Sequence, residues 1–354
     1  MADASRRVRY VATVPPERAT GAVAAVYGQA RSELGRLVEA VTMFSAAPEL
    51  LVANWVAFRE TLLATGHAPR LAKEALAATV SRLNECPYCV DAHTVMLYGG
   101  GASAFATGLL DGVAVDDLDP AYRELSRWAG SGMTEAGASP TPFSAAQTPE
   151  FVGVWQYFHF LNRAINVLVE GSFLPGAGRT LRVARRVGGR AMASRVAATN
   201  PPGLAAGLVR APRPLPSELG WARSNPPVAD AFAQLHGAVE ASATAATTDA
   251  IRRLVGDVVG DWRGDPLGLS GAWVDSLVEP LPSDERPAAR LALLTALAPY
   301  RVTGAEVREF RATHPADDAL LGLVAWSALL AARRITGWTV GAARVPETRG
   351  GAER

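Results

Sequence analysis

Apolar residues along this chain recur at steps of three and four, and strict alternation is scarce, so the spacing predicts helices nearly throughout. In 49–64, ELLVANWVAFRETLLA, Leu51, Trp55, Phe58 and Leu62 fall on one stripe. In 70–83, RLAKEALAATVSRL, Leu76, Val80 and Leu83 do the same. The segment 151–169, FVGVWQYFHFLNRAINVLV, is apolar almost all round, the pattern of a buried helix. Ala, Leu, Arg and Glu, good helix formers, dominate the long segments. Gly66-His67-Ala68-Pro69 separates two helices, and Gly99-Gly100-Gly101 stops another. The expected fold class is all-α.

Between Gly171 and Pro227 the texture changes to GSFLPGAG, NPPG, RAPRPLP and SNPP, which reads as a linker region with one short helix inside. That helix, RTLRVARRVGGRAMASR, carries Arg179, Arg182, Arg185, Arg186, Arg190 and Arg195, several on one face. Such a face could meet an anion or a membrane surface. A solvated linker helix is the favoured reading, and Gly188-Gly189 weakens the helix further. The flanking segments look like two copies of one helical unit. Pro48 aligns with Pro227 and Pro87 with Pro266 at a common offset of 179, and 160–169 resembles 330–339 at an offset of 170. The expected division is a first unit over 1–170, a Pro/Gly/Arg-rich linker over 171–220 and a diverged second unit over 221–354.

Composition narrows the picture. With 354 residues, 49% hydrophobic and 19% charged, the chain can bury a sizeable core. A formal net charge of +1 gives no reason to expect nucleic acid, and the basic residues are Arg except for Lys73. The start, MADASRRVRYVATVPPE, lacks an apolar signal region, and no uninterrupted apolar run is long enough to cross a bilayer. A soluble cytoplasmic protein without a membrane segment is the expectation. No phosphate loop or GxSxG elbow occurs, and no cofactor is expected.

The chain's two cysteines lie together in LNECPYCVDAH, residues 83–93. As a structural staple, Cys86 and Cys89 would close too short a loop to remove much chain entropy. As a zinc site, Cys86, Cys89 and His93 would need a fourth ligand such as Glu74 or His67, and no second close-spaced pair is present. As a reactive dithiol, the pair is well placed. Pro87 suits a first helical turn, which sets Cys86 near the N-cap and Cys89 inside that turn, where unpaired N–H groups favour a thiolate. His93, four residues on, shares a helix face with Cys89 and can act as its base. Glu74, twelve residues before Cys86 on the preceding helix, could orient that imidazole. His159 and Asn162 could line the same pocket, though satisfied buried polar groups are the plainer reading. His67, His236 and His314 read as surface or loop residues.

Together these residues spell E-x11-C-x2-C-x3-H, from Glu74 to His93 in EALAATVSRLNECPYCVDAH. This motif, with PERATGAVAAVYGQARSELG at 16–35 and the 47–58 and 155–169 segments, resembles the alkylhydroperoxidase D and carboxymuconolactone decarboxylase superfamily. The resemblance covers roughly 15–170, and the second half only as a degenerate repeat. It implies an all-helical bundle, duplicated within one chain here, homo-oligomers and thiol-dependent peroxidase activity. It further implies that Cys89 attacks the hydroperoxide, Cys86 resolves it, and His93 and Glu74 relay the proton. A dithiol on a lipoyl-bearing or thioredoxin-like protein would return the electrons. Tyr88 stands where some members carry a second His. Under the repeat alignment Cys86, Cys89, His93 and Glu74 meet Asp265, Gly268, Ala272 and Arg253, so the second unit would lack every reactive group. A non-catalytic redox sensor is the alternative use of the same dithiol.

Overall fold

The computed structural model describes residues 7–174, 178–209, 211–267 and 270–342. Fifteen α-helices run through them: α1 Gly21–Leu34, α2 Glu39–Thr42, α3 Pro48–Phe58, α4 Arg70–Leu83, α5 Pro87–Gly99, α6 Ser103–Asp111, α7 Pro120–Ser131, α8 Thr148–Leu168, α9 Gly178–Val196, α10 Pro226–Ala243, α11 Asp249–Asp261, α12 Trp273–Val278, α13 Arg286–Leu297, α14 Gly304–Thr313 and α15 Asp317–Ala342. The one extended pairing among the described residues is an isolated bridge, Val8 with Val169. The fold is all-α. Helix starts follow local chemistry. Pro48, Pro87, Pro120 and Pro226 occupy first helical positions, where a missing N–H costs nothing. Thr303 and Glu306 close a capping box on α14.

The second half repeats the helix order of the first. Shifted by 179 residues, α4 would begin at 249, where α11 begins. Shifted by 170, α8 would begin one residue inside α15. Corresponding helices then pack on one another, α3 against α10 and α8 against α15, as elements related by a two-fold axis do. One continuous hydrophobic core runs through both halves, joining Trp55 and Phe158 to Leu291 and Val324. The buried-helix expectation holds for α8, where every residue but Thr148 and Asn166 is buried. α15 is apolar and long enough to span a bilayer, yet 83% of its apolar window is buried in the protein.

The structure departs from the sequence pattern at three places. The 49–64 segment is not one helix. α3 ends at Phe58 and a π-helical turn, Arg59–Leu63, follows. Arg59 is fully buried there because it pairs with Glu33 and Glu60 and donates to the Pro201 carbonyl. The helix expected to be short and solvated in the linker is α9, 19 residues long and packed along α5. Gly189 permits that packing, since a Cβ there would lie 2.7 Å from Tyr98 Cβ and 2.9 Å from the Gly99 nitrogen. The glycines that lower helix propensity are what lets two backbones touch. His236, expected at the surface, is buried on α10 between Gln156 and Glu218. Gly268 and the Arg179 side chain, both used in the sequence reading, lie outside the described residues.

Candidate functional site

The turn from α4 into α5 positions the two cysteines. Asn84 and Glu85 bridge the helices, and Glu85 adopts a left-handed φ of 52°, uncommon for a side-chain-bearing residue and typical of functional turns. The Cys86 N–H donates to the Ser81 carbonyl at 2.9 Å, fixing Cys86 as N-cap of α5. Cys89 then falls in the first turn, as the Pro87 signature predicts. The two thiols are free and their sulfurs lie 2.9 Å apart. Both are buried, but Cys89 lines a cavity while Cys86 sits behind it.

One turn along α5, His93 reaches the same cavity. Its Nδ1 lies 2.7 Å from Glu74 Oε2 on α4, which leaves Nε2 as the ring nitrogen free to exchange a proton. Glu74 is fully buried and its other oxygen is gripped by Arg70, one turn earlier, at 2.7 Å. Burial pushes the Glu74 carboxyl up, but the Arg70 charge and the His93 hydrogen bond outweigh it and hold the group below the ordinary carboxylate range. Phe158 packs edge-on against the His93 ring at 4.6 Å, limiting its rotation. Arg70 was not singled out in the sequence, although its i, i+4 spacing to Glu74 was a readable signal.

Behind the cysteines lies a polar wall. Asn162 and Ser81 lie beside the Cys89 sulfur; Asn162 Nδ2 donates to Ser81 Oγ at 3.2 Å, and the Ser81 hydroxyl donates to the Ala77 carbonyl at 2.6 Å. Asn84 donates to Asn162 Oδ1 at 3.1 Å and lies 3.1 Å from His159 Nδ1, while its own Oδ1 accepts from Arg163 at 3.3 Å. Arg163 also donates to the Ala296 carbonyl at 2.8 Å, so the second half of the chain holds the far end of this network. Burial and the neighbouring Arg163 push His159 well below its ordinary range, so the ring is neutral. Burial pushes Arg163 down to about 10, and it stays charged at neutral pH. Asn162 touches the thiol from behind, and neither it nor His159 is among the cavity-lining residues.

Burial is also the main influence on Cys89, and it pushes the thiol well above its ordinary range, with the hydrogen bond and charge of Cys86 adding to the rise. Asn162 and Ser81 pull the other way. Cys89 thus has the first-turn position that favours a thiolate, while its burial and the neighbouring Cys86 work against the anion, so a nearby proton acceptor assists in making the nucleophile.

The cavity measures about 280 Å³. Its walls come from α1 to α5, the π-helical turn, α8 and α9, with Leu62, Leu161, Ile165 and Met192 among the lining residues. α9 is thus a wall of the site, and an ion pair between Arg185 and the buried Asp91 fastens it to α5. Tyr88, between the cysteines, donates to the buried Glu39 at 2.8 Å. Among the described residues no three His, Cys, Asp or Glu side chains are grouped to hold a metal ion. In the second half Arg253 is exposed and Asp265 offers its backbone carbonyl to Trp262.

Two comparisons bear on this site. The model of the carboxymuconolactone decarboxylase family matches residues 49–131, the stretch from α3 to α7 that holds Glu74, Cys86, Cys89 and His93. Over 336 residues the chain is 42% identical to alkyl hydroperoxide reductase Rv2159c of Mycobacterium tuberculosis, a match that covers 95% of this chain and 96% of that protein. The family match is local, but the relative spans both halves, and the chain belongs to the carboxymuconolactone decarboxylase family.

Proposed function

We propose that the protein is a thiol peroxidase that reduces alkyl hydroperoxides through Cys89 and Cys86. The observation that carries this reading is the placement of Cys89 on the wall of an apolar cavity, with Cys86 2.9 Å behind it, His93 one turn further along α5 and Glu74 on α4 holding the His93 ring. The name of the Mycobacterium tuberculosis relative points to the same substrate class.

His93 takes the Cys89 proton on Nε2 as substrate enters, and the imidazolium is stabilised by Glu74, itself held by Arg70. Asn162, which lowers the Cys89 pKa against burial, donates to the thiolate as it forms. The Cys89 sulfur attacks the terminal peroxide oxygen. The O–O bond breaks, Cys89 becomes a sulfenic acid, and the alkoxide takes the proton back from His93 to leave as an alcohol. Cys86 then attacks the sulfenic sulfur, releasing water and forming the disulfide. An external dithiol, on a lipoyl-bearing or thioredoxin-like protein, reduces that disulfide by exchange and is itself oxidised.

Peroxide consumption by the reduced protein, measured with a panel of dithiol donors, tests this reading. Catalytic turnover is expected, and Cys89→Ser should abolish it. Unchanged turnover in that variant would refute the assignment. A reversible disulfide without turnover would instead favour a redox sensor.

A further inference from the structure

The cavity beside Cys89 is far larger than hydrogen peroxide needs. At about 280 Å³ it equals roughly nine water volumes of about 30 Å³ each. Leu62, Leu161, Ile165, Phe173, Leu174 and Met192 make its interior apolar. Of the ionisable side chains that reach it, Glu74 holds His93 and Arg70, and Tyr88 donates to Glu39. Arg36 differs. It lines the cavity, is exposed to solvent and pairs with no carboxylate among the described residues. Its Nε makes one long bond to the Leu37 carbonyl at 3.4 Å, and its guanidinium lies 5.2 Å over the Phe173 ring. Phe173 in turn meets the Tyr88 ring edge-on at 5.3 Å, and Tyr88 adjoins Cys89 in the first turn of α5. Arg36, Phe173 and Tyr88 therefore form a line from solvent to the nucleophile, with an uncommitted cation at its outer end.

We infer that the site selects hydroperoxides of aliphatic carboxylic acids, with the carboxylate held by Arg36, the chain lying along the apolar wall and the peroxide group at Cys89. The reacting end of this assignment rests on the peroxidase reading above. The recognition end does not. A planar guanidinium with free donors matches a carboxylate in two parallel hydrogen bonds, and its stacking on Phe173 holds the fork in place. The cavity volume accommodates about nine or ten chain atoms, so longer chains would leave their remainder in solvent.

Calorimetric titration of the reduced full-length protein with decanoate and with decanol tests the carboxylate site without requiring turnover. Decanoate is expected to bind more tightly than decanol in the wild type. R36Q should weaken decanoate about tenfold more than it weakens decanol. Equal affinities in the wild type, or equal weakening of both ligands, would overturn the proposal. Turnover of a carboxylate-bearing aliphatic hydroperoxide and of cumene hydroperoxide is then compared in the same two proteins. R36Q should raise KM for the acid selectively, with little effect on its kcat. Absence of turnover with either peroxide would count against the peroxidase reading alone, because the two binding titrations still decide the role of Arg36.

Discussion

At the residue scale the chemistry turns on where a proton sits. Burial holds Cys89 well above the ordinary thiol range, so alkylation of the reduced protein by iodoacetamide should be slow at neutral pH and accelerate as pH rises through and beyond that range. Rapid alkylation of Cys89 at pH 6 would contradict this. The same shift has a stability consequence. A folded pKa raised above the unfolded value contributes stability that is fully present below the ordinary thiol range and is lost as pH rises through the folded pKa. The Glu74 shift has the opposite sign, so its contribution is present above the ordinary carboxylate range and is lost as pH falls through the folded pKa. Glu74→Gln should reduce turnover by roughly 10²–10⁴-fold, the usual worth of a general acid–base pair, since a neutral amide cannot stabilise an imidazolium. Asn162→Ala should slow thiolate formation and move the alkylation profile to still higher pH, because it removes a donor to the Cys89 sulfur. An unmoved profile would show that Asn162 only supports the fold.

At the element scale the crossing of α5 and α9 is the informative feature. Gly189→Ala places a methyl 2.7 Å from Tyr98 Cβ and 2.9 Å from a backbone nitrogen, so α9 must lift from α5. The expected loss is about 1–3 kcal/mol, measured by denaturant unfolding. Gly28→Ala is the contrast. Gly28 lies inside α1 with nothing within 4 Å of its would-be Cβ, so the substitution should stabilise by about 0.5–1 kcal/mol through helix propensity alone. These two glycines look alike in sequence. Only the neighbouring helix distinguishes them. The same limit applies to the Arg face of α9. Spacing put several arginines together, yet nothing local shows that Arg185 turns inward to pair with Asp91 on another helix.

At the scale of the whole molecule the second half acts as a support for the first. Arg163, one end of the network behind Cys89, donates to the carbonyl of Ala296, and α15 covers α8. Residues 1–170 expressed alone should therefore expose the faces of α3 and α8 that α10 and α15 cover. Such a fragment is expected to bind a hydrophobic dye and to unfold without a cooperative transition. A sharp thermal transition by circular dichroism would refute that dependence. The sequence by itself determined the helical class, because three- and four-residue apolar spacing admits no other regular element. It also pointed to Glu74, Cys86, Cys89 and His93, with Glu74 on α4 and the other three at the N-cap and in the first two turns of α5, the next helix. Tertiary structure decided what spacing cannot encode. It made Glu74 fully buried, set Asn162 behind the thiol, turned an expected linker helix into a cavity wall and left Arg36 at the cavity without a carboxylate partner among the described residues. Each of these depends on which distant helix packs where, and the free energy of desolvating a charge or a thiol is set by that packing rather than by local sequence.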